Sequence, residues 1–156
     1  MARPTKWRRI ERMPAYRRFA PSDGQPAGAP GISMKVEELE AIRLKDLEGL
    51  EQEECADRME VSRPTFQRIL LSAREKVADS LVNGKSLRVE GGNYTRNICP
   101  VKCLDCGKEW QDSYENLDGA RNGGVSCPSC HSGNISCFRR SGPFCRGNCR
   151  RRGWQE

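Results

Sequence analysis

The sequence predicts a mainly α fold, with a helical domain followed by a small metal-holding domain. Three observations predict it. Apolar residues recur at helical spacing from Leu39 to Leu81. The stretch Gln52–Leu71, QEECADRMEVSRPTFQRILL, reads as a helix, a tight turn and a second helix. Eight of the nine cysteines fall between Cys99 and Cys149, and two C-x2-C pairs among them stand 20 residues apart.

Composition sets the bounds. A chain of 156 residues is enough for one modest domain or two small ones. Hydrophobic residues make up 36% and aromatic residues 6%, which argues against one large core. The mean hydropathy of −0.78, with no apolar run near membrane-spanning length, excludes a transmembrane helix. The start, MARPTKWRRIERMP, is basic and lacks the apolar stretch of a signal peptide, so a cytoplasmic location is expected. In that compartment clustered cysteines argue for metal rather than disulfides. The net charge of +6 is uneven: +5 in residues 1–33, −3 in 34–92, −1 in 93–136 and +5 in 137–156. Basic ends of this kind seek polyanions or merely solvate the termini.

Residues 1–32 read as a basic arm and linker. Arg3, Lys6, Arg8, Arg9, Arg12, Arg17 and Arg18 are interleaved with Trp7, Tyr16 and Phe19. Such an arm folds onto the first helix or lies along DNA, where arginines can enter a minor groove. Pro21–Gly31, PSDGQPAGAPG, is a flexible linker by composition.

Residues 33–92 form the predicted helical domain. Ser33–Leu50 reads as its first helix, with Leu39, Ile42, Leu47 and Leu50 on one face and Gly49 at its end. In the next stretch Cys55, Met59, Val61, Phe66 and Ile69 let two short helices bury one seam, and Ala56 is small where they come closest. Ser62 suits the N-cap of the second helix, and Pro64 its first turn. Opposite the seam stand Ser62, Arg63, Thr65, Gln67 and Arg68. An ordinary helical hairpin with a solvated basic face would also show donors there. The match of all five seam positions favours a DNA-binding helix-turn-helix, in which Arg63, Gln67 and Arg68 read base edges while Ser62 and Thr65 touch the backbone. Glu60 stands where the turn needs a left-handed residue, at a cost of roughly 1–2 kcal/mol. Looseness or distortion is therefore expected at Met59–Val61. Helical spacing continues through Ala73, Val77 and Leu81 to Asn83-Gly84. That part should pack on the first helix or against a second copy in a homodimer. Lys85–Val89 reads as a short strand, and Gly91-Gly92 ends the domain.

The string from Asp46 to Tyr94, with SRPTFQRIL at its centre, resembles the prokaryotic family called domain of unknown function 134. The resemblance extends through KVEELEAIRL and RPTKWRRI to cover about residues 1–94. It implies a DNA-binding protein with a helix-turn-helix similar to region 4 of sigma factors. This chain departs at Glu60, where the family has glycine, and at Glu51, where a capping serine or threonine is usual. It departs also at Trp7 and Glu11, where members often have cysteines, so an N-terminal metal role in relatives is not expected here.

Residues 97–136 read as a zinc-ribbon-like domain. Cys103-x2-Cys106 and Cys127-x2-Cys130 each make a knuckle offering two thiolates, and together a tetrahedral S4 site suited to structural zinc. CLDCGKEW and CPSCHSGNI resemble zinc-ribbon knuckles, with Gly107 in a turn and Trp110 covering the site. Metal would supply stability that so small a core lacks. In the Cys/Arg-rich tail, 137–156, Cys137, Cys145 and Cys149 can hold a second metal with Cys99 or His131 as fourth ligand. The C-x2-C-H at Cys127–His131 has the spacing for covalent haem, a chemistry that needs export. Cys99-x3-Cys103-x2-Cys106 has the spacing of a radical enzyme's iron–sulfur loop, which needs a barrel this chain cannot build.

The expected function is sequence-specific binding of duplex DNA by a transcriptional regulator with structural zinc. The alternatives are an iron–sulfur or thiol redox sensor, and a zinc-ribbon adaptor for RNA polymerase or RNA. One histidine and no paired-carboxylate or Ser/His/Asp set leave little inventory for an enzyme.

Overall fold

The computed structural model describes residues 6–24, 27–119 and 125–137. The chain divides into two compact units, Met1–Tyr94 and Thr95–Glu156. The expectation of a mainly α fold is corrected. Helix accounts for about 36% and strand for about 20%, with four α-helices and three small sheets among the described residues, which makes the fold mixed α/β. The strands that change the class are two to six residues long and lie outside the helical stretches.

In the first unit, helix α1 (Val36–Ile42) starts at Lys35, whose N–H donates to Glu38 Oε2 at 2.7 Å. The N3 carboxylate thus reaches back to a free N–H of the helix start. Ser33 does not begin this helix, because Ile32–Met34 form a strand, β3. A π-helical turn (Arg43–Leu47) follows α1, and its wider spacing shows where the Glu48 N–H reaches Arg43 O, at 2.9 Å. This extra residue per turn rotates the apolar face. Leu44 becomes fully buried, and Leu47, expected inside, is 81% exposed. Gly49, at φ 72°, then ends the turn.

Helices α2 (Gln52–Arg58) and α3 (Arg63–Asn83) pack around one cluster. It holds Cys55, Ala56, Met59, Phe66, Ile69 and Leu70, with Ala41 and Leu44 from the α1 side and Val61 at its edge. Glu60 takes the left-handed conformation at φ 53°. Of the looseness or distortion expected here the structure shows the distortion, at Glu60, in a turn that is otherwise bonded: Met59 is fully buried, Glu60 N–H donates to Asp57 O at 3.1 Å and Val61 N–H to Ala56 O at 3.0 Å. Buried Met59 on one side of the turn and half-buried Val61 on the other hold the strained residue. Helix α3 ends at Gly84, φ 62°, where glycine relieves the left-handed cap. Its inward stripe stops near Val77, because Leu81 is 79% exposed.

The N-terminal segment is built into this unit rather than left as an arm. Strand β1 (Arg8–Arg9) sends the Arg8 N–H to Asn93 O and the Arg9 N–H to Met59 O, each at 2.9 Å. Ile10 is fully buried in a second cluster with Met34, Val36, Ala73, Leu87 and Val89. Strand β2 (Arg18–Phe19) lies antiparallel to β4 (Leu87–Val89), and β3 lies parallel to β4 on its other side. The short strand expected at 85–89 is therefore the middle of a three-stranded sheet, in the order β2-β4-β3. Strand β5 (Tyr94–Thr95), paired with β1, closes the unit.

In the second unit β6 (Ile98–Cys103) runs between β7 (Glu109–Ser113) and β8 (Ile135–Cys137), antiparallel to both. A short helix α4 (Tyr114–Gly119) follows β7. Its core is small: Cys99, Val101, Leu117 and Ile135, with Trp110, Tyr114 and Val125 against them. No helix among the described residues is long and apolar enough to cross a membrane.

Candidate metal centre and nucleic-acid interface

Two turns bring four cysteines together. In the first, Cys103 ends β6 and the Gly107 N–H returns to Cys103 O at 3.0 Å, with Gly107 at φ 73°. In the second, the His131 N–H returns to Cys127 O at 2.9 Å, with His131 at φ 59°. The residue after each second cysteine is left-handed, so His131 fills the backbone role that glycine fills in the first knuckle. The knuckles are joined by Leu104 N–H to Asn134 O at 2.9 Å. Asp105, between the first two cysteines, accepts from Ser132 Oγ and from Asn134 Nδ2, the latter at 2.8 Å. Those two bonds hold its carboxyl below the usual carboxylate range.

Cys103 Sγ lies 3.6 Å from Cys130 Sγ, and Cys106 Sγ lies 3.5 Å from Cys127 Sγ. All four sulfurs lie within 4.8 Å of one another. An ion with four sulfurs at about 2.3 Å spaces them by about 3.8 Å along each tetrahedral edge. The quartet therefore has the size for one metal ion. Burial pushes the Cys127 thiol up, but N–H groups of Cys130 and Ser129 and the neighbouring thiols outweigh it and bring it to about 6. At Cys130 the Ser132 N–H favours the thiolate, yet the other sulfurs and burial push it up to about 12. Negative charge already placed on one sulfur resists a second until a cation arrives.

Among the described residues, this is the one group of three or more His, Cys, Asp or Glu side chains arranged to hold a metal. Cys99 is not part of it; it is fully buried in the apolar core, with Asn97 Nδ2 at 3.9 Å. Cys99 therefore does not join Cys103 and Cys106 in one ligand set, although the three share the spacing of a radical enzyme's iron–sulfur loop. The His131 side chain is exposed. Trp110 packs on the unit's apolar core, its Nε1 donating to Asp112 at 3.3 Å. Cys137 contributes to β8, and Cys145 and Cys149 lie outside the described residues.

The second candidate surface is the start of α3. Ser62, Arg63, Gln67 and Arg68 are exposed, and Thr65 is half-buried. Ser62 occupies the N-cap position but makes no side-chain cap; its hydroxyl instead meets Thr65 Oγ1 at 2.8 Å. Arg68 Nη2 donates to the same Thr65 oxygen at 3.4 Å. Arg63 rests 3.5 Å from Glu53, an ion pair open to water. Of the N-terminal basic residues, Lys6 is exposed, whereas Arg8 and Arg9 are partly buried, each with an Nε that has no hydrogen-bond partner among the described residues. Arg3 lies outside the described residues.

Sequence reasoning missed the acidic residues that hold the first unit. Glu37, Glu38 and Glu40 on α1 are all nearly fully buried. Glu38 takes Lys76 Nζ at 2.7 Å and Ser72 Oγ at 2.7 Å, fastening α1 to α3. Glu40 takes Arg43, which also meets Glu11 at 2.8 Å and Glu48. The charged run EELE carried no signal for this, because solvated helix faces look the same.

Residues 1–97 match the family model described as "Protein of unknown function DUF134". The chain is similar to a UPF0251 protein of Caldicellulosiruptor bescii, 51% identical over 99% of this chain and 100% of that one. A UPF0251 protein of Caldicellulosiruptor saccharolyticus is 49% identical over 97% and 100%, and one of Clostridium beijerinckii 46% identical over 96% and 97%. These matches span both units. No solved structure matches.

Proposed function

For a chain that belongs to the DUF134 family of proteins of unknown function, we propose sequence-specific binding of duplex DNA, in the role of a transcriptional regulator in the cytoplasm. One observation carries the reading: the start of α3 presents Arg63, Gln67 and Arg68 to solvent on a helix whose opposite face is locked into a buried seam. A helix held this way can enter a major groove N-terminus first. Arg63, Gln67 and Arg68 then meet base edges, Ser62 and Thr65 the backbone, and Lys6, Arg8 and Arg9 further phosphates. A homodimer would set two such helices about 34 Å apart on successive half-sites. The deciding experiment is competition between selected and random duplexes over a salt series. A chain with no preference for any selected sequence, or a salt slope of zero, sinks the reading.

The quartet Cys103, Cys106, Cys127 and Cys130 is assigned to structural zinc. Zinc, when bound, supplies a rigid four-way cross-link between the knuckles. A cluster of several irons would place its metals between the sulfurs and need a wider cage than the spacing here. Metal analysis of protein purified without air tests this: one zinc per chain supports it, and iron with absorbance near 400 nm overturns it. A thiol redox switch with DNA as output is the second reading, favoured by the exposure of Cys106 and Cys130. Loss of zinc and of DNA affinity together on mild oxidation would support it.

A further inference from the structure

The four sulfurs of the quartet face one another across the knuckles. Cys103 Sγ meets Cys130 Sγ at 3.6 Å, and Cys106 Sγ meets Cys127 Sγ at 3.5 Å. Each of these pairs joins an exposed cysteine, Cys130 or Cys106, to a buried one, Cys103 or Cys127. Bonds that use no sulfur fix this facing while the ribbon is intact. Cys103 N–H donates to Lys108 O and Cys127 N–H to Ser132 O, each at 2.8 Å, and Leu104 N–H donates to Asn134 O. Strands β6 and β8 keep their register as far as Cys103, opposite Ile135. A disulfide holds its sulfurs about 2.05 Å apart, so each cross pair has only about 1.5 Å to close.

We propose that oxidation exchanges the metal of this quartet for two nested disulfides, Cys103–Cys130 outside and Cys106–Cys127 inside, and that the bridged ribbon keeps its fold without a metal. This deepens the thiol-switch reading and rests on the assignment of the quartet to a metal; it needs no DNA. The oxidant is a peroxide. The exposed sulfur of a pair, as its thiolate, attacks one peroxide oxygen. The O–O bond breaks, the sulfur becomes a sulfenic acid, and hydroxide leaves. The buried thiolate of the same pair then attacks the sulfenic sulfur. The S–S bond forms, the S–O bond breaks, and a second hydroxide leaves. Each bridge thus gives two electrons to one peroxide, and two bridges leave the cation no thiolate. The spacing along the chain makes these bridges effective staples. They span 27 and 21 residues. A bridge over a long loop takes more freedom from the unfolded chain than one closed within a C-x2-C. They also join the same two turns that the metal joins, so β6 stays beside β8.

The test uses the full, reduced, metal-loaded chain, its metal counted first. Hydrogen peroxide is added stepwise while a chelating dye reads released zinc. Thiol-blocked samples are then cut with trypsin, which places Cys103 and Cys106 on peptide 103–108 and Cys127 and Cys130 on peptide 122–139. The two peptides should become joined, fragmentation should show Cys103–Cys130 and Cys106–Cys127, and one zinc should be released for every two bridges. Chain oxidised in denaturant supplies the comparison, because there the cysteines nearest in sequence close first. In calorimetry with a chelator present, the oxidised chain should keep the unfolding transition of the second unit, which the reduced chain loses. Bridges within each C-x2-C, or any other pairing, overturn the proposal. So do zinc release with sulfinic acids in place of bridges, and zinc and thiols that survive excess peroxide. Loss of the second unit's transition from the correctly bridged chain overturns it too. Iron or no metal at the outset would sink the zinc assignment instead, and the map of bridges would still decide the pairing.

Discussion

Arg68 and Gln67 are the side chains whose removal separates reading from mere attraction. Arg68 is steadied by Thr65, which is itself met by Ser62, so the guanidinium is partly ordered before DNA arrives. A bidentate base contact is worth roughly 1–3 kcal/mol of discrimination. Arg68→Ala or Gln67→Ala should relax preference at particular base pairs by that amount in competition binding, while random-sequence affinity changes less. Glu60 offers a stability test. At φ 53° it occupies a conformation glycine adopts freely. Glu60→Gly should raise the unfolding free energy of the first unit by about 1 kcal/mol in a denaturant titration; no gain would mean the turn carries no strain. Glu38 gives a pH dependence. Burial pushes its carboxyl up, but Lys76, the Lys35 N–H and Ser72 together hold it below its ordinary value of 4.5. The native state thus favours the carboxylate more than the unfolded chain does. The contribution is complete above pH 4.5 and is lost as pH falls through the lower folded value. Lys76→Met should flatten this acid limb of the stability curve.

The seam between α2 and α3 was legible because helix period exposes it: Cys55, Met59, Phe66 and Ile69 all lie buried where their spacing puts them. The metal quartet was legible for the same kind of reason, since a C-x2-C knuckle is a local device. The strands were not. Two- and three-residue strands show no alternation, and the partners of β2 and β3 lie some seventy and fifty-five residues further along the chain. Nor could the π-helical turn be read, because Leu44 and Leu47 are equally good apolar candidates until one extra residue rotates the face. These unreadable elements change what a truncation means. Deleting residues 1–18 removes Ile10 from a core, β1 from its sheet and the first residue of β2, not just a set of phosphate contacts. That deletion should unfold the first unit or lower its melting temperature sharply. A truncated chain that melted like the full one would show that the segment is an arm after all.

At the scale of the whole molecule, the two units have separate cores and different sources of stability. Among the described residues the second unit's apolar core is small, and a cation held by the four thiolates would supply the cross-link that its sheet needs. A strong chelator, or Cys127→Ser, should abolish its folding while the first unit keeps its helical circular dichroism. Calorimetry should then show one transition lost and one retained. His131→Ala should keep the metal, because the backbone of that residue and not its ring serves the knuckle. Loss of both transitions together on chelation would mean that the units fold as one.

The bond from Arg9 to Met59 has a bearing on how the chain is made. Ile10 and β1 leave the ribosome well before the groups that receive them, which belong to residue 59, to β4 and to Asn93. Until β4 has emerged, β2 and β3 have no edge to join, and the cluster of Ile10, Met34 and Val36 lacks Leu87 and Val89. Pairings this distant along the sequence also slow refolding, because the long loop must close before any contact repays its entropy. The helical hairpin of α2 and α3, by contrast, can form as soon as it is synthesised. Nascent chains stalled before residue 87 should therefore show protected α2–α3 amides with an unprotected N-terminus, and during that interval they should be the species that chaperones hold.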